Sequence, residues 1–177
     1  MNEIEFVNGR RVLSAGFDKE KMKMNNVKNV GEGRFFKVVK GCPFVVRLPE
    51  RSTKYSAGYD FFCPYPVVIA PGQTIKIKTW VKARFPRGEF LMICDRSSFG
   101  IKKHLTIPNG VGIIDSDYYG NENNDGNIIA ALYNFGQEPV QINTGDKVCQ
   151  GIFIPFRVTD DDTATGKRTG GVGSTGK

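Results

Sequence analysis

This chain predicts an all-β fold of many short strands, closed into a sandwich or barrel and holding at most one short helix. Three observations carry that prediction. Residues 73–84 alternate with period two, which sets Ile75, Ile77, Thr79 and Val81 on one face of a strand. Runs rich in Val, Ile, Phe and Tyr recur at 35–39, 44–48, 89–94, 127–133, 139–142 and 148–154. Turn residues fall between them, at Pro71-Gly72, Pro86 to Gly88, Gly120 to Gly126, Gly136 to Pro139 and Thr144 to Asp146.

In chain order, residues 1–33 are polar and mixed, and read as an extension with no assigned element. The β domain runs over 34–158, and its first strands, 35–39 and 44–48, are separated by Gly41 and Pro43. The single helix opens near Ser97 and Ser98 and runs towards Lys103, with a serine as its cap. Beyond Arg157 the chain turns acidic and hydroxylic, then glycine-rich, so residues 159–177 read as a linker and a C-terminal arm.

A length of 177 residues supports one domain with a proper core and would cramp two. Hydrophobic residues make up 40% and charged residues 24%, the balance of an ordinary globular protein. No apolar run approaches the ~20 residues of a membrane span. The first residues, up to Phe6, are acidic and lack an apolar signal core. The cysteines (Cys42, Cys63, Cys94, Cys149) stand far apart beside a lone histidine, His104, a poor zinc-binding pattern. The expectation is a cytoplasmic chain whose reduced thiols mostly fill the core. A net charge of +7 permits phosphate ligands but is dispersed. Lys76, Lys78 and Lys82 alternate along one strand, which reads as a solvated sheet face and not as a nucleic-acid groove.

Five segments carry candidate chemistry. Residues 109–121 run from an apolar strand (Val111, Ile113, Ile114) into Asp115, Asp117, Tyr118, Tyr119 and a Gly120-Asn121 turn. Such a hairpin can hold a flat base against backbone groups and aim a carboxylate at what is attached to it. The same residues also make ordinary surface turns. Asp95, Arg96, Ser97 and Ser98 sit where a strand ends and a helix opens, either a phosphate cradle or a plain serine cap. Asp60 lies among small and aromatic residues, as a turn acid or an outer ligand of a metal. Gln150 stands among apolar residues after a Gly145-Asp146 turn, and a buried glutamine must be hydrogen-bonded. Gly171, Gly173 and Gly176 match G-x-G-x-x-G, but only Lys177 follows, so no dinucleotide helix is expected. That segment reads as a disordered tail or as a lid whose amides and hydroxyls wrap phosphates.

Taken in order, these segments resemble the five motifs of the trimeric deoxyuridine triphosphatases (dUTPases): A-G-x-D, R-S-x-x-G, the G-x-I-D-x-D-Y hairpin, G-D-x-x-x-Q, and a C-terminal arm ending G-S-T-G. The resemblance covers roughly Phe35 to the C-terminus. It implies a jelly-roll, β-clip-like subunit and hydrolysis of dUTP to dUMP and pyrophosphate, which limits uracil in DNA and supplies dUMP. Asp115 then corresponds to the base for the water attacking the α-phosphorus. Tyr118 corresponds to the ring packed beneath deoxyribose. Asn109 and the backbone of Gly112, Ile113 and Ile114 meet the uracil edge, with Ile129 adding a contact from the returning strand. Arg96, Ser97 and Ser98 hold phosphates, and Gln150 touches the phosphate chain near the attacked centre. Asp60 acts through water on Mg2+, which binds chiefly triphosphate oxygens and water.

The resemblance also implies a homotrimer with shared active sites, and an arm in which Arg168, Val172, Gly173, Ser174 and Thr175 close over the nucleotide. Val172 stands where the family usually carries an aromatic stacked on uracil, which predicts weaker stacking, worth ~1–3 kcal/mol. Either Lys167 or Arg168 takes the γ-phosphate role, and Arg168 is the choice here. Two rivals remain from the sequence. One is dCTP deaminase, which shares the fold and the phosphate cradle and would release ammonia. The other is a non-catalytic dUTP-sensing regulator, for which residues 1–33 or 121–125 would be the docking place.

Overall fold

Most of the apolar runs become antiparallel strands because one side of each faces a common core. The computed structural model describes residues 4–7, 10–13, 33–166 and 168. The chain divides into two units, Met1–Gly31 and Glu32–Lys177. In the first, β1 (Ile4–Val7) pairs with β2 (Arg10–Leu13), Ile4 opposite Leu13 and Val7 opposite Arg10. No element was expected there, although Asn8-Gly9 between two strand-length runs is a strong short-range hairpin signal.

The second unit contains β3 (Phe35–Val38), β4 (Tyr59–Phe62), β5 (Val67–Ile69), β6 (Thr74–Lys78), β7 (Val81–Arg84), β8 (Glu89–Cys94), β9 (Leu105–Thr106), β10 (Gly112–Asp115), β11 (Ile129–Asn134), β12 (Val140–Ile142) and β13 (Lys147–Pro155). They form sheets ordered β10-β8-β13-β4, β6-β11-β9, β12-β5 and β3-β7. Two short helical turns, Phe99–Lys103 and Ser116–Tyr118, complete the set. The core joins inward residues of several sheets, including Phe61, Ile69, Ile77, Leu91, Leu132, Ile142 and Val148. Each such side chain contributes roughly 1.5–3 kcal/mol through burial. Gly151 is part of this packing: a Cβ there would come within 2.9 Å of Phe61 and 3.0 Å of Leu91. The all-β expectation holds.

Several details differ from the sequence reading. Residues 44–48 form no strand, and Val45 is fully exposed. Pro43 and Pro49 bracket the run and remove ladder donors at both ends. The strand expected over 73–84 breaks at Trp80, whose φ is +59°, giving β6 and β7 in different sheets. Burial of Ile77, Thr79 and Val81 continues across the break, but Lys82 is buried instead of solvated. The helix is a single turn, and the Ser98 side chain makes no capping hydrogen bond; His104, at φ +52°, ends it. Cys63 and Cys149 are core residues and burial pushes their thiols up, whereas Cys42 and Cys94 are partly exposed.

The hairpin differs most usefully. β10 pairs with β8, and β11 pairs with β6 and β9, so the two arms join separate sheets and do not form a ladder with each other. A gap opens between them.

Candidate active site

The gap between β10 and β11 is a cavity of about 480 Å³. Asn109, Gly112, Ile113, Ile114, Asp115, Tyr118, Ile129 and Arg168 line it, together with Ile93, Ile107 and Ala131. β10 is the last strand of its sheet, so its outer edge presents N–H and C=O groups that no strand satisfies. β11 meets β9 only at Tyr133 and Asn134, which leaves residues 129–132 unpaired on that side. Two strand edges with free polar groups therefore face one apolar-floored hollow. A flat heterocycle with donors and acceptors on its rim suits such a slot.

Asp115 ends β10 at the cavity mouth, with its side chain 47% exposed. Arg168 donates through Nη2 to Asp115 Oδ2 and through Nε to Asp117 Oδ1, the latter at 2.9 Å. Its guanidinium also lies 5.7 Å from the Tyr118 ring centroid. The structure thus sets the arm's arginine on two carboxylates of its own chain.

Arg96, Ser98 and Lys147 line a second, shallower hollow with Lys103 and Asp146, and it shares no lining residue with the first. Ser97 is exposed beside it. Asp60 is buried and holds this cationic cluster together: Arg96 Nε donates to Oδ1 at 2.8 Å, while Oδ2 takes Lys147 Nζ at 2.7 Å and Ser52 Oγ at 2.8 Å. Burial pushes the Asp60 carboxyl up. The hydrogen bonds from Lys147 and Ser52 and the charges of Arg96 and Lys147 outweigh it, and hold the group below the usual carboxylate range.

A depressed native value means that the ionised group contributes stability above its unfolded value of about 3.9, lost as pH falls through the lower folded one. Thermal midpoints of wild type and Asp60→Asn should therefore converge as pH drops below about 4 and separate above it. Parallel curves throughout would mean that the Asp60 ion pairs add nothing.

Gln150 stands opposite Asp60 on one side and Cys94 on the other. Its Nε2 donates to Asp95 O at 2.8 Å. Gly58 gives it room, since a Cβ at 58 would lie 2.2 Å from Gln150 Oε1. This is a physical reason for the glycine of A-G-x-D. Asp95 bridges the two hollows: its carbonyl holds Gln150, and its carboxylate takes Thr106 Oγ1 at 2.7 Å and Ile107 N at 2.9 Å, next to the Pro108-Asn109 corner.

One chain therefore gathers Asn109, Gly112–Ile114, Asp115, Tyr118, Ile129 and Arg168 in one place, and Asp60, Arg96, Ser98 and Gln150 in another. Val172, Gly173, Ser174 and Thr175 lie outside the described residues, as does Lys167. Sequence reasoning missed Lys147 and Ser52, and named Asp95 within the cradle segment without giving it a role. Lys147 was signalled by its place between Asp146 and Gln150 in a motif already singled out; Ser52 carried no signal. Also missed was the pair Lys82 Nζ–Asp125 Oδ2 at 2.6 Å, which ties the 120–126 turn to β7. Burial pushes Asp125 up, but the Lys40 N–H and the Lys82 ammonium outweigh it and hold it below the usual range.

Among the described residues, no group of three or more His, Cys, Asp or Glu is placed to hold a metal ion, and no helix is long and apolar enough to cross a membrane.

Residues 45–176 match the family model for dUTPase. The deoxyuridine 5'-triphosphate nucleotidohydrolase of Lactococcus lactis is 47% identical over 133 residues, covering 74% of this chain and 89% of that protein. The enzyme of the same name from Escherichia phage T5 is 36% identical, covering 73% of this chain and 91% of its own. The crystal structure of dUTPase from Streptococcus mutans superposes with a TM-score of 0.67 at 38% identity, over 71% of this chain and 98% of that one. On these matches, and with its two hollows built from the motif residues, the chain belongs to the dUTPase family.

Proposed function

We propose that this chain hydrolyses dUTP to dUMP and pyrophosphate, with water attacking the α-phosphorus and Asp115 as its base. The observation that carries the reading is the splayed hairpin, which offers a slot with room for uracil between free strand edges and a carboxylate at its mouth. Asn109 and the backbone at Gly112, Ile113, Ile114 and Ile129 would match the rim of uracil; cytosine would leave buried groups mispaired. Tyr118 would floor the deoxyribose. Arg96, Ser97 and Ser98 would receive phosphates, Gln150 would reach the chain near the attacked centre, and Arg168 would exchange its carboxylates for the γ-phosphate.

The separation of base slot and phosphate hollow within one chain supports a homotrimer in which neighbouring subunits complete each site. The arm residues Val172, Gly173, Ser174 and Thr175 would then close over the nucleotide.

The donor set fits Mg2+ held chiefly by the triphosphate and water. Asp60 has three donors on about four acceptor sites, which leaves Oδ1 one free acceptor site for a water carried by the ion. When bound, the ion would neutralise charge on the departing pyrophosphate.

Steady-state assay of the four canonical deoxynucleoside triphosphates and dUTP with magnesium tests the reading. Pyrophosphate should form from dUTP alone, with no ammonia from dCTP. Intact dUTP would overturn it.

A further inference from the structure

Tyr118 is 5% exposed, yet it lines the base slot beside Asp115. Its hydroxyl is fully engaged: it donates to Asn127 O at 3.0 Å and accepts from Asn124 Nδ2 at 2.8 Å. The orientation of the Asn124 amide is dictated by its other neighbours. Its oxygen faces two groups that can only donate, Gly126 N at 3.0 Å and Asn121 Nδ2 at 2.7 Å, so its nitrogen must face the phenol. Asn121 in turn donates to Tyr118 O at 3.0 Å and accepts from Asn123 N and Asn124 N, both at 3.1 Å. Asp125 binds Lys82 Nζ at 2.6 Å and Lys40 N at 2.9 Å, which ties the turn to its surroundings. A Cβ on Gly126 would stand 2.8 Å from Tyr118 O, so the turn is packed directly against the tyrosine backbone.

We propose that Asn124 is a positioning residue for sugar discrimination: its amide fixes the Tyr118 ring so that the slot admits deoxyribose and refuses a ribose 2′-hydroxyl. This rests on the reading of the slot as a nucleotide site. A wall discriminates by steric exclusion only if it cannot yield, and an aromatic ring released at its hydroxyl end can tilt away from an added oxygen. Asn124 is separated from the slot by the ring and acts through it.

The test compares kcat/KM for dUTP and UTP, with magnesium, in the full-length wild type, Asn124→Ala, Tyr118→Phe and the double variant. Asn124→Ala should reduce the preference for dUTP about tenfold, the value of one well-made hydrogen bond, mainly by raising kcat/KM for UTP. Tyr118→Phe keeps the ring but gives up the bond to Asn127 O as well, so it should reduce the preference at least as much. The double variant should fall no further than Tyr118→Phe, which already removes the bond to Asn124. An unchanged dUTP-to-UTP ratio, equal losses on both substrates, or multiplied effects in the double variant would overturn the proposal. Where Asn124→Ala fails to fold, an unchanged ratio in Tyr118→Phe does so. A wild type that leaves dUTP uncut overturns the reading of the site instead.

Discussion

Asp115→Asn is expected to lower kcat on dUTP by about 10²–10⁴-fold while leaving nucleotide affinity equal or tighter. The amide keeps the shape of the carboxylate and one acceptor oxygen but cannot take a proton from water. Removing a negative charge at the slot mouth also lessens repulsion of the triphosphate, so binding should not suffer. Asp117 is the internal control. Both aspartates share Arg168, but Asp115 ends β10 and lines the slot, whereas Asp117 is more exposed and absent from its lining. Asp117→Asn should therefore change kcat by less than about tenfold. Calorimetric titration with an α,β-imido analogue of dUTP, alongside steady-state kinetics, separates binding from turnover. Full activity in Asp115→Asn would remove it as the base, and a larger loss in Asp117→Asn would move the role to its neighbour.

Which of these residues the sequence exposes follows from where their partners lie. Asp115, Tyr118 and Asn109 belong to one contiguous segment, so their association was legible before any fold was known. The strands at 89–94 and 148–154 were legible as β-rich runs between turn signals; β8 alternates in burial from Phe90 to Cys94, whereas β13 does not alternate along its length. The division of the hairpin between two sheets was not legible. Strand pairing is a long-range choice, and a Gly-Asn turn between apolar runs predicts a local ladder that tertiary packing here overrides. Lys82 shows the same limit. Its alternation with Lys76 and Lys78 reads as solvated, and only the turn at Trp80 and the approach of Asp125 bring it inside. The partnership of Asp60 with Arg96 and Lys147 spans three motifs, and no local pattern announces which cation a carboxylate will meet. Residues 44–48 failed for the opposite reason: their β propensity is real, but Pro43 and Pro49 deny the segment a partner strand.

Gly58→Ala carries the second large effect, and it comes from space and not from charge. The backbone at Gly58 is not in the left-handed region, so an alanine there meets no conformational strain of its own. Its Cβ, however, would stand 2.2 Å from Gln150 Oε1 and 3.0 Å from Cδ, and the glutamine must swing aside. Doing so breaks its bond to Asp95 O, the same residue whose carboxylate fixes Thr106 and Ile107 beneath the base slot. A displacement of about 1 Å in a group that positions the reacting centre can cost roughly 10²-fold in rate. Gly58→Ala should therefore lower kcat by about that factor, match Gln150→Ala within a few-fold, and add little to it in the double variant. Gln150 is only partly buried and meets the new Cβ with the far end of a long side chain, so the thermal midpoint should move far less than the rate. A Gly58→Ala enzyme with wild-type kcat would show that Gln150 does not act from its present position. One that loses rate equally in a Gln150→Ala background would show that the glycine serves something other than this glutamine.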